Sequence, residues 1–220
     1  MKRTYILSPE FSSESAGHDE WQCFGGTIPG GKNKNGVAAV EIKSGDGSIV
    51  DYEADAVRDA EAALEWFDAR PGGVCLGIDS LLSWSHSGGR KCDDCLRSFY
   101  KGRGGESVIP QNSLRSAMTL NGVLVAMGVK VPLCESHPKL MIKAGLLPQQ
   151  LIGLHSSLPD DAGDALVAGW CASQWHFKKW KFDLFSVEGD NLTWPAGTAT
   201  YPWPEAICAG FTNELSGSIP

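Results

Sequence analysis

The sequence predicts an α/β domain built on one mixed sheet with helices on both faces. Three strand-like segments follow one another near the start, and helical and strand-like segments alternate after them. Hydrophobic residues at 42% against 20% charged are enough to fill a core and argue against a disordered chain. Consecutive strands join most simply as an antiparallel meander, whereas strands separated by helices add in parallel.

Residues 21–28 and 37–42 read as strands across a turn-rich Pro-Gly-Gly-Lys-Asn-Lys-Asn-Gly segment, and residues 47–54 alternate as a third. Val57, Ala60, Ala63, Leu64 and Phe67 recur at helical spacing over residues 55–69, until Pro71-Gly72-Gly73 stops the helix. Residues 74–79 form a short apolar run closing on Asp79. A loop over 80–90 leads to a short helix at 91–100, and the Lys-Gly-Arg-Gly-Gly segment 101–105 reads as a flexible insertion. A helix over 112–127, a strand at 129–134, a short helix opened by Pro138 and a helix over 160–175 follow. The last forty residues, rich in Trp, Pro and Gly, read as one or two strands with loops. Residues 1–20 are expected to be an arm, 21–180 the domain and 181–220 an extension packed on it.

Composition narrows the function classes. The longest apolar runs, such as 123–127, fall far short of the ~20 residues a membrane helix needs. Lys2 and Arg3 have no apolar run behind them, so no secretory signal is expected. Seven cysteines, an odd number over a long chain, fit reduced thiols and a cytoplasmic location better than a disulfide framework. A net charge of −7 excludes a polybasic coat and disfavours sequence-blind DNA binding through global charge.

Four carboxylates fall where this architecture gathers side chains. Asp79 and Glu135 each end a strand, and Asp161 and Asp164 lie three apart in Pro159-Asp-Asp-Ala-Gly-Asp-Ala-Leu166. Three helical residues turn through about 300°, so the latter two share a face. Such an oxygen-rich pocket suits Mg²⁺ or Mn²⁺, which can activate water for phosphodiester hydrolysis. Each acid also has a plainer reading. Asp79 can form a turn, Asp160 can cap its helix, and Asp161 and Asp164 can complement the helix dipole. Burying Asp164 beside Ala165-Leu166-Val167 without a partner would be costly, which favours a functional role.

Arg90, Lys91, Arg97, Lys101 and Arg103 place five cations in fourteen residues, against Asp93 and Asp94. They suit a lip that positions a nucleic-acid backbone, or else a solvated helix face. Arg97 can also pair with a carboxylate. His176, Lys178, Lys179 and Lys181 interleave with Trp175, Phe177 and Trp180, a pattern more often explained by helix-end packing than by base stacking. Cys92-x-x-Cys95 lacks the second half of a zinc site, so incidental thiols are the better reading. His137 is a candidate acid–base group or a helix cap. Neither glycine-rich stretch has the context of a dinucleotide fingerprint or P-loop, and no Gly-x-Ser-x-Gly is present.

Leu76-Gly-Ile-Asp-Ser80, Arg90-Lys-Cys-Asp-Asp-Cys-Leu-Arg97, Glu135-Ser-His-Pro138 and Asp160-Asp-Ala-Gly-Asp-Ala-Leu166 resemble, in order and spacing, successive motifs of domain-of-unknown-function family 429. The resemblance spans residues 21–176. It implies an RNase H-like five-stranded sheet, near the Holliday-junction resolvase branch, with acids grouped at one edge and an inferred nuclease activity. Asp79 matches that family's central-strand acid, Glu135 the acid of its Glu-x-x-Pro motif, and Asp161 and Asp164 the acids of its C-terminal helix. One position departs: Thr27 stands where the first strand of such folds carries Asp, and a hydroxyl is a far weaker ligand for a hard cation.

The expected function is a Mg²⁺- or Mn²⁺-dependent phosphodiesterase with Asp79, Glu135, Asp161 and Asp164 as metal ligands and catalytic groups, acting on nucleic acid. The alternative is a binding module of the same fold whose metal site has lapsed at Thr27. A third reading, an enzyme acting on a small phosphorylated molecule, also suits the acidic charge.

Overall fold

The computed structural model describes residues 20–27, 35–43, 45–86, 88–113, 116–187 and 191–208. Strands β1 (Glu20–Thr27), β2 (Asn35–Lys43) and β3 (Ile49–Val57) come first, followed by helix α1 (Ala60–Asp68), β4 (Gly73–Asp79) and the two-residue β5 (Trp84–Ser85). Then come α2 (Lys91–Phe99), α3 (Ser116–Gly128), β6 (Leu133–Glu135), α4 (Pro138–Ala144), α5 (Gln149–Ser157) and α6 (Asp160–His176). Short strands β7 (Phe182–Asp183), β8 (Leu192–Thr193) and β9 (Pro202–Trp203) close the described chain. Apart from Glu20, the expected N-terminal arm lies outside the described residues.

The main sheet has five strands in the order β3-β2-β1-β4-β6. The first three strands form the antiparallel meander, and β4 and β6 add in parallel on the other side of β1. The protein is therefore α/β with a mixed sheet. The boundaries differ from the sequence reading around the first helix and at β6, which runs Leu133–Glu135 where a strand over 129–134 was expected. Residues 55–57 continue β3, where Asp55 pairs with Val37 and Val57 with Asn35. Helix α1 starts only at Ala60, after Asp59 caps it by accepting the Ala62 N–H at 2.9 Å. Helix α5 was not expected, because Gly153 interrupts a short, weakly periodic segment.

Alternation along each strand divides the core into two layers. Phe24, Leu76 and Ile78 point to the face covered by α1 and α3, with Phe67 and Val125. Ala38, Val40 and Ile42 point to the opposite face, against Ala165, Leu166 and Trp170 of α6. Helix α6 is buried from 162 to 174 because it lies directly on the sheet. Glycines make that approach possible. A Cβ on Gly25 would sit 1.9 Å from the Ala165 carbonyl oxygen, and one on Gly77 would sit 2.0 Å from that of Ala168. Any side chain at either position would push α6 off the sheet and move Asp164 with it.

The described part of the C-terminal extension belongs to the same core. Thr200 bridges in parallel to Cys134 beyond β6, and Tyr201 and Trp203 are buried. The Trp203 Nε1–H donates to the Tyr100 hydroxyl at 2.9 Å, and that hydroxyl donates to Glu205 at 2.5 Å. The expectation that all cysteines stay reduced does not hold. Cys95 of α2 and Cys208 form a disulfide with 6.1 Å between Cα atoms. Cys23, Cys75, Cys92, Cys134 and Cys171 are buried thiols outside the disulfide. Among the described residues, no helix is long and apolar enough to cross a membrane.

Candidate carboxylate site

Residues Cys75, Gly77 and Asp79 alternate onto the α6 face of the sheet. Asp79 therefore emerges at the C-terminal edge of β4 beside the first turns of α6. There Asp164 is held by His155 of α5, whose Nε2 lies 2.9 Å from Oδ1. Asp161 lies one helical turn earlier in α6 and is half-buried. Thr27 pairs in register with Asp79 across the parallel β1–β4 ladder, the position where a second strand-borne acid was expected.

Asp79 and Asp164 repel one another. The Asp79 pKa is pushed up to about 8, first by burial and then by the Asp164 charge, while Lys139 pulls it down and Glu135 adds a smaller push. Burial also raises the Asp164 pKa, opposed by the His155 contact and Lys139. Lys139 is exposed in the first turn of α4, so a cation faces both acids from the element that follows β6. The sequence reading passed over Lys139 and His155. The available signal for Lys139 was its place directly after Glu135-Ser-His-Pro138.

The raised pKa has a stability consequence. Well below pH 3.8, Asp79 is protonated in both folded and unfolded chains. Between about 3.8 and about 8 the folded chain keeps a proton that the unfolded chain releases, so stability falls as pH rises through that window. Without divalent cation, Asp79→Asn should therefore match the wild type near pH 4 and be the more stable protein at pH 8.5. Urea titrations at the two pH values measure this, and equal wild-type and variant midpoints at pH 8.5 would refute it.

Glu135 stands apart from this pair. Its carboxylate accepts from Arg90 Nη2 at 2.5 Å and Nη1 at 2.8 Å, and from the Leu82 N–H at 2.9 Å. Arg90 also donates from Nε and Nη2 to Asp93, at 2.8 and 2.7 Å, and from Nη1 to Ser83 Oγ at 3.2 Å. All five guanidinium N–H donors are used. Burial by itself lowers the Arg90 pKa, but the Glu135 and Asp93 charges and the Glu135 hydrogen bonds together outweigh it and hold it well above the ordinary value. Phe185 and Tyr201 cover the guanidinium, with ring centroids 5.6 and 5.9 Å away.

Two expectations are corrected by this cluster. Arg90 is 1% exposed and lies inside the protein instead of on a lip. Glu135 serves as the clamp between β6, the loop after β4 and the start of α2, with its oxygens taken by Arg90 and Leu82. The reason is electrostatic: two buried carboxylates draw in the nearest cation that can donate in a fork.

The other members of the basic segment remain outward. Lys91, Lys101 and Arg103 are exposed. Arg103 lies over the Tyr100 and Phe99 rings, 5.1 and 5.8 Å from their centroids, and Arg97 pairs with Asp94. The 101–105 segment packs against α4, where Gly104 meets Lys143 and Leu140. It thus runs beside the helix that carries Lys139. The pattern at 176–181 is mainly packing: Trp180 is buried edge-on to Trp170, and Lys179 donates to the Gly45 carbonyl at 2.9 Å. Of the Cys-x-x-Cys pair, Cys92 is buried and Cys95 is bonded to Cys208, so the two do not present paired thiolates. His137 precedes α4, and burial depresses its pKa to about 4, so it is neutral at pH 7.

Among the described residues, no group of three or more His, Cys, Asp or Glu side chains is arranged to hold a metal ion. Two carboxylates still suit Mg²⁺, which commonly takes one or two protein carboxylates and completes its shell with water and substrate phosphate. No family model, curated protein or solved structure matches the chain.

Proposed function

We propose that the protein is a divalent-cation-dependent phosphodiesterase of RNase H-like fold, acting on nucleic acid at Asp79 and Asp164. The observation that carries the reading is the repulsion of these two acids where the interior strand β4 ends beside α6, only partly offset by Lys139 and His155. Repelling carboxylates at a strand edge gain most from a bound cation, and a pKa displaced by a specific charged neighbour marks functional sites. The strand order β3-β2-β1-β4-β6, with its antiparallel meander and two parallel additions, supports the fold assignment.

A bound Mg²⁺ or Mn²⁺ would polarise a phosphoryl oxygen and lower the pKa of an attacking water. Asp79 and Asp164 would hold it, with Asp161 one turn away at the rim. His155 orients the Asp164 carboxylate as an outer-shell partner. Lys139 supplies a positive charge to the phosphate, and Lys91, Lys101 and Arg103 extend that potential along the strand. Glu135 holds the Asp79 loop in place through Arg90.

The test is cleavage of single- and double-stranded oligonucleotides with Mn²⁺ or Mg²⁺, alongside calorimetric cation binding in the presence of oligonucleotide. Asp79→Asn and Asp164→Asn should each abolish cleavage, whereas His155→Ala should slow it by about 10- to 100-fold, the size of an outer-shell effect. Absence of both cation binding and cleavage would refute the proposal. Thr27 beside Asp79 favours a second reading, the non-catalytic binding module, which oligonucleotide binding without cleavage would support.

A further inference from the structure

We propose that two copies of the chain associate through α3, packed antiparallel across a two-fold axis. Helix α3 contains no charged residue, although the chain as a whole carries a net charge of −7. Its inner side is in the core, where Gly122 lies against Ser80 and Gly128 against Leu64 of α1. Its outer side is also apolar: Leu120 is 59%, Leu124 45% and Met127 64% exposed, and Ala117 is exposed beside them. Large apolar side chains grouped on one exposed face mark an interaction surface.

The spacing identifies the kind of partner. Residues 117, 120, 124 and 127 follow the three–four–three step of a helix–helix seam. The same residues show that a second α3 fits. Set antiparallel, with the two-fold axis passing near residue 122, Ala117 of each copy faces Met127 of the other, and Leu120 faces Leu124. The smallest side chain of the seam meets the longest, and the pattern is its own complement, as a two-fold interface requires. A groove of about 470 Å³ runs beside the N-terminal half of α3, lined by Trp84, Ser116, Leu120, Val123 and Pro195 among others. In this register it receives Met127 of the second copy.

An uncharged seam also lets two negatively charged molecules meet where no like charges are forced together. A helix about 20 Å long and 10 Å across, with the groove rims, covers on the order of 500 Å² per copy, or roughly 1,000 Å² in total, the lower end of specific interfaces. The dimer is accordingly expected to be reversible, with a dissociation constant in the micromolar range.

Sedimentation equilibrium of the full chain from about 1 to 100 μM tests this. A monomer–dimer equilibrium is expected, and Leu120→Glu or Leu124→Glu should weaken it by about 100-fold, because each substitution is felt twice across the axis. Circular dichroism checks that these surface variants stay folded. The register has its own test: Ala117→Cys combined with Met127→Cys should cross-link chains under oxidised glutathione. Ala117→Cys alone should not, since those two positions stand about 15 Å apart along the helices, beyond disulfide reach. A monomer throughout the range overturns the proposal. So does a dimer indifferent to the Glu variants, or one in which the paired cysteines fail to cross-link.

Discussion

Arg90→Met should lower the unfolding free energy by roughly 3–5 kcal/mol and the melting temperature by roughly 10 °C. The substitution keeps the apolar volume but leaves Glu135 and Asp93 buried without their shared cation. The penalty comes from the stranded carboxylates, so replacing all three charges together (Arg90→Met, Asp93→Leu, Glu135→Leu) should cost less than removing the cation alone. The cluster joins β6, the 80–83 loop and the start of α2, so its loss should also slacken Asp79, which directly precedes that loop. The same reasoning separates Glu135 from a metal ligand. Glu135→Ala should destabilise the protein in buffer containing chelator, where a ligand's removal would be silent or, as at Asp79, stabilising. Guanidinium titrations of the wild type, Arg90→Met and Glu135→Ala, with and without Mg²⁺, make the comparison. A Glu135→Ala variant as stable as the wild type in chelator would return Glu135 to the cation site.

What the sequence conveyed and what it concealed divide along chain distance. The meander and the parallel additions follow from local patterns and short connections, so the sheet and its two layers could be read directly. Asp79 at the end of β4 and Asp164 on α6 were also readable, since each lies at the end of a recognisable run or within one helix turn. The fate of Glu135 was hidden because a strand-end acid looks the same whether it faces a metal or a guanidinium, and Arg90 lies 45 residues away in the chain. Arg90 itself was disguised by its neighbours: beside Lys91 it reads as one cation among several, and only folding separates the interior one from the exposed. His155 sits on a helix that Gly153 makes weakly periodic. In α3 the apolar residues signalled a helix, yet they could not reveal that half of them face outward, because helical periodicity loses contrast when both faces are apolar.

Cys208→Ser should lower stability by up to about 4–5 kcal/mol under oxidising conditions, the loop-closure value for a bridge of about 100 residues, and reductant should erase the difference between variant and wild type. The bridge spans 113 residues of sequence, from Cys95 in α2 to Cys208 in the extension that carries Tyr201 and Trp203. The unfolded chain is therefore strongly restricted while the bridge is closed. In the folded protein the extension keeps its buried aromatics and the Tyr100–Trp203 contact, so reduction should weaken its attachment without unfolding the domain. Thiol titration gives an independent reading. The five buried cysteines outside the bridge should react only on unfolding, and denatured oxidised protein should expose five thiols where reduced protein exposes seven. Seven thiols in protein never exposed to reductant would mean that the bridge does not form, and the Cys208→Ser variant would then match the wild type in every buffer. The pairing was not legible beforehand, because seven cysteines allow many partners and only the folded extension brings Cys208 to α2.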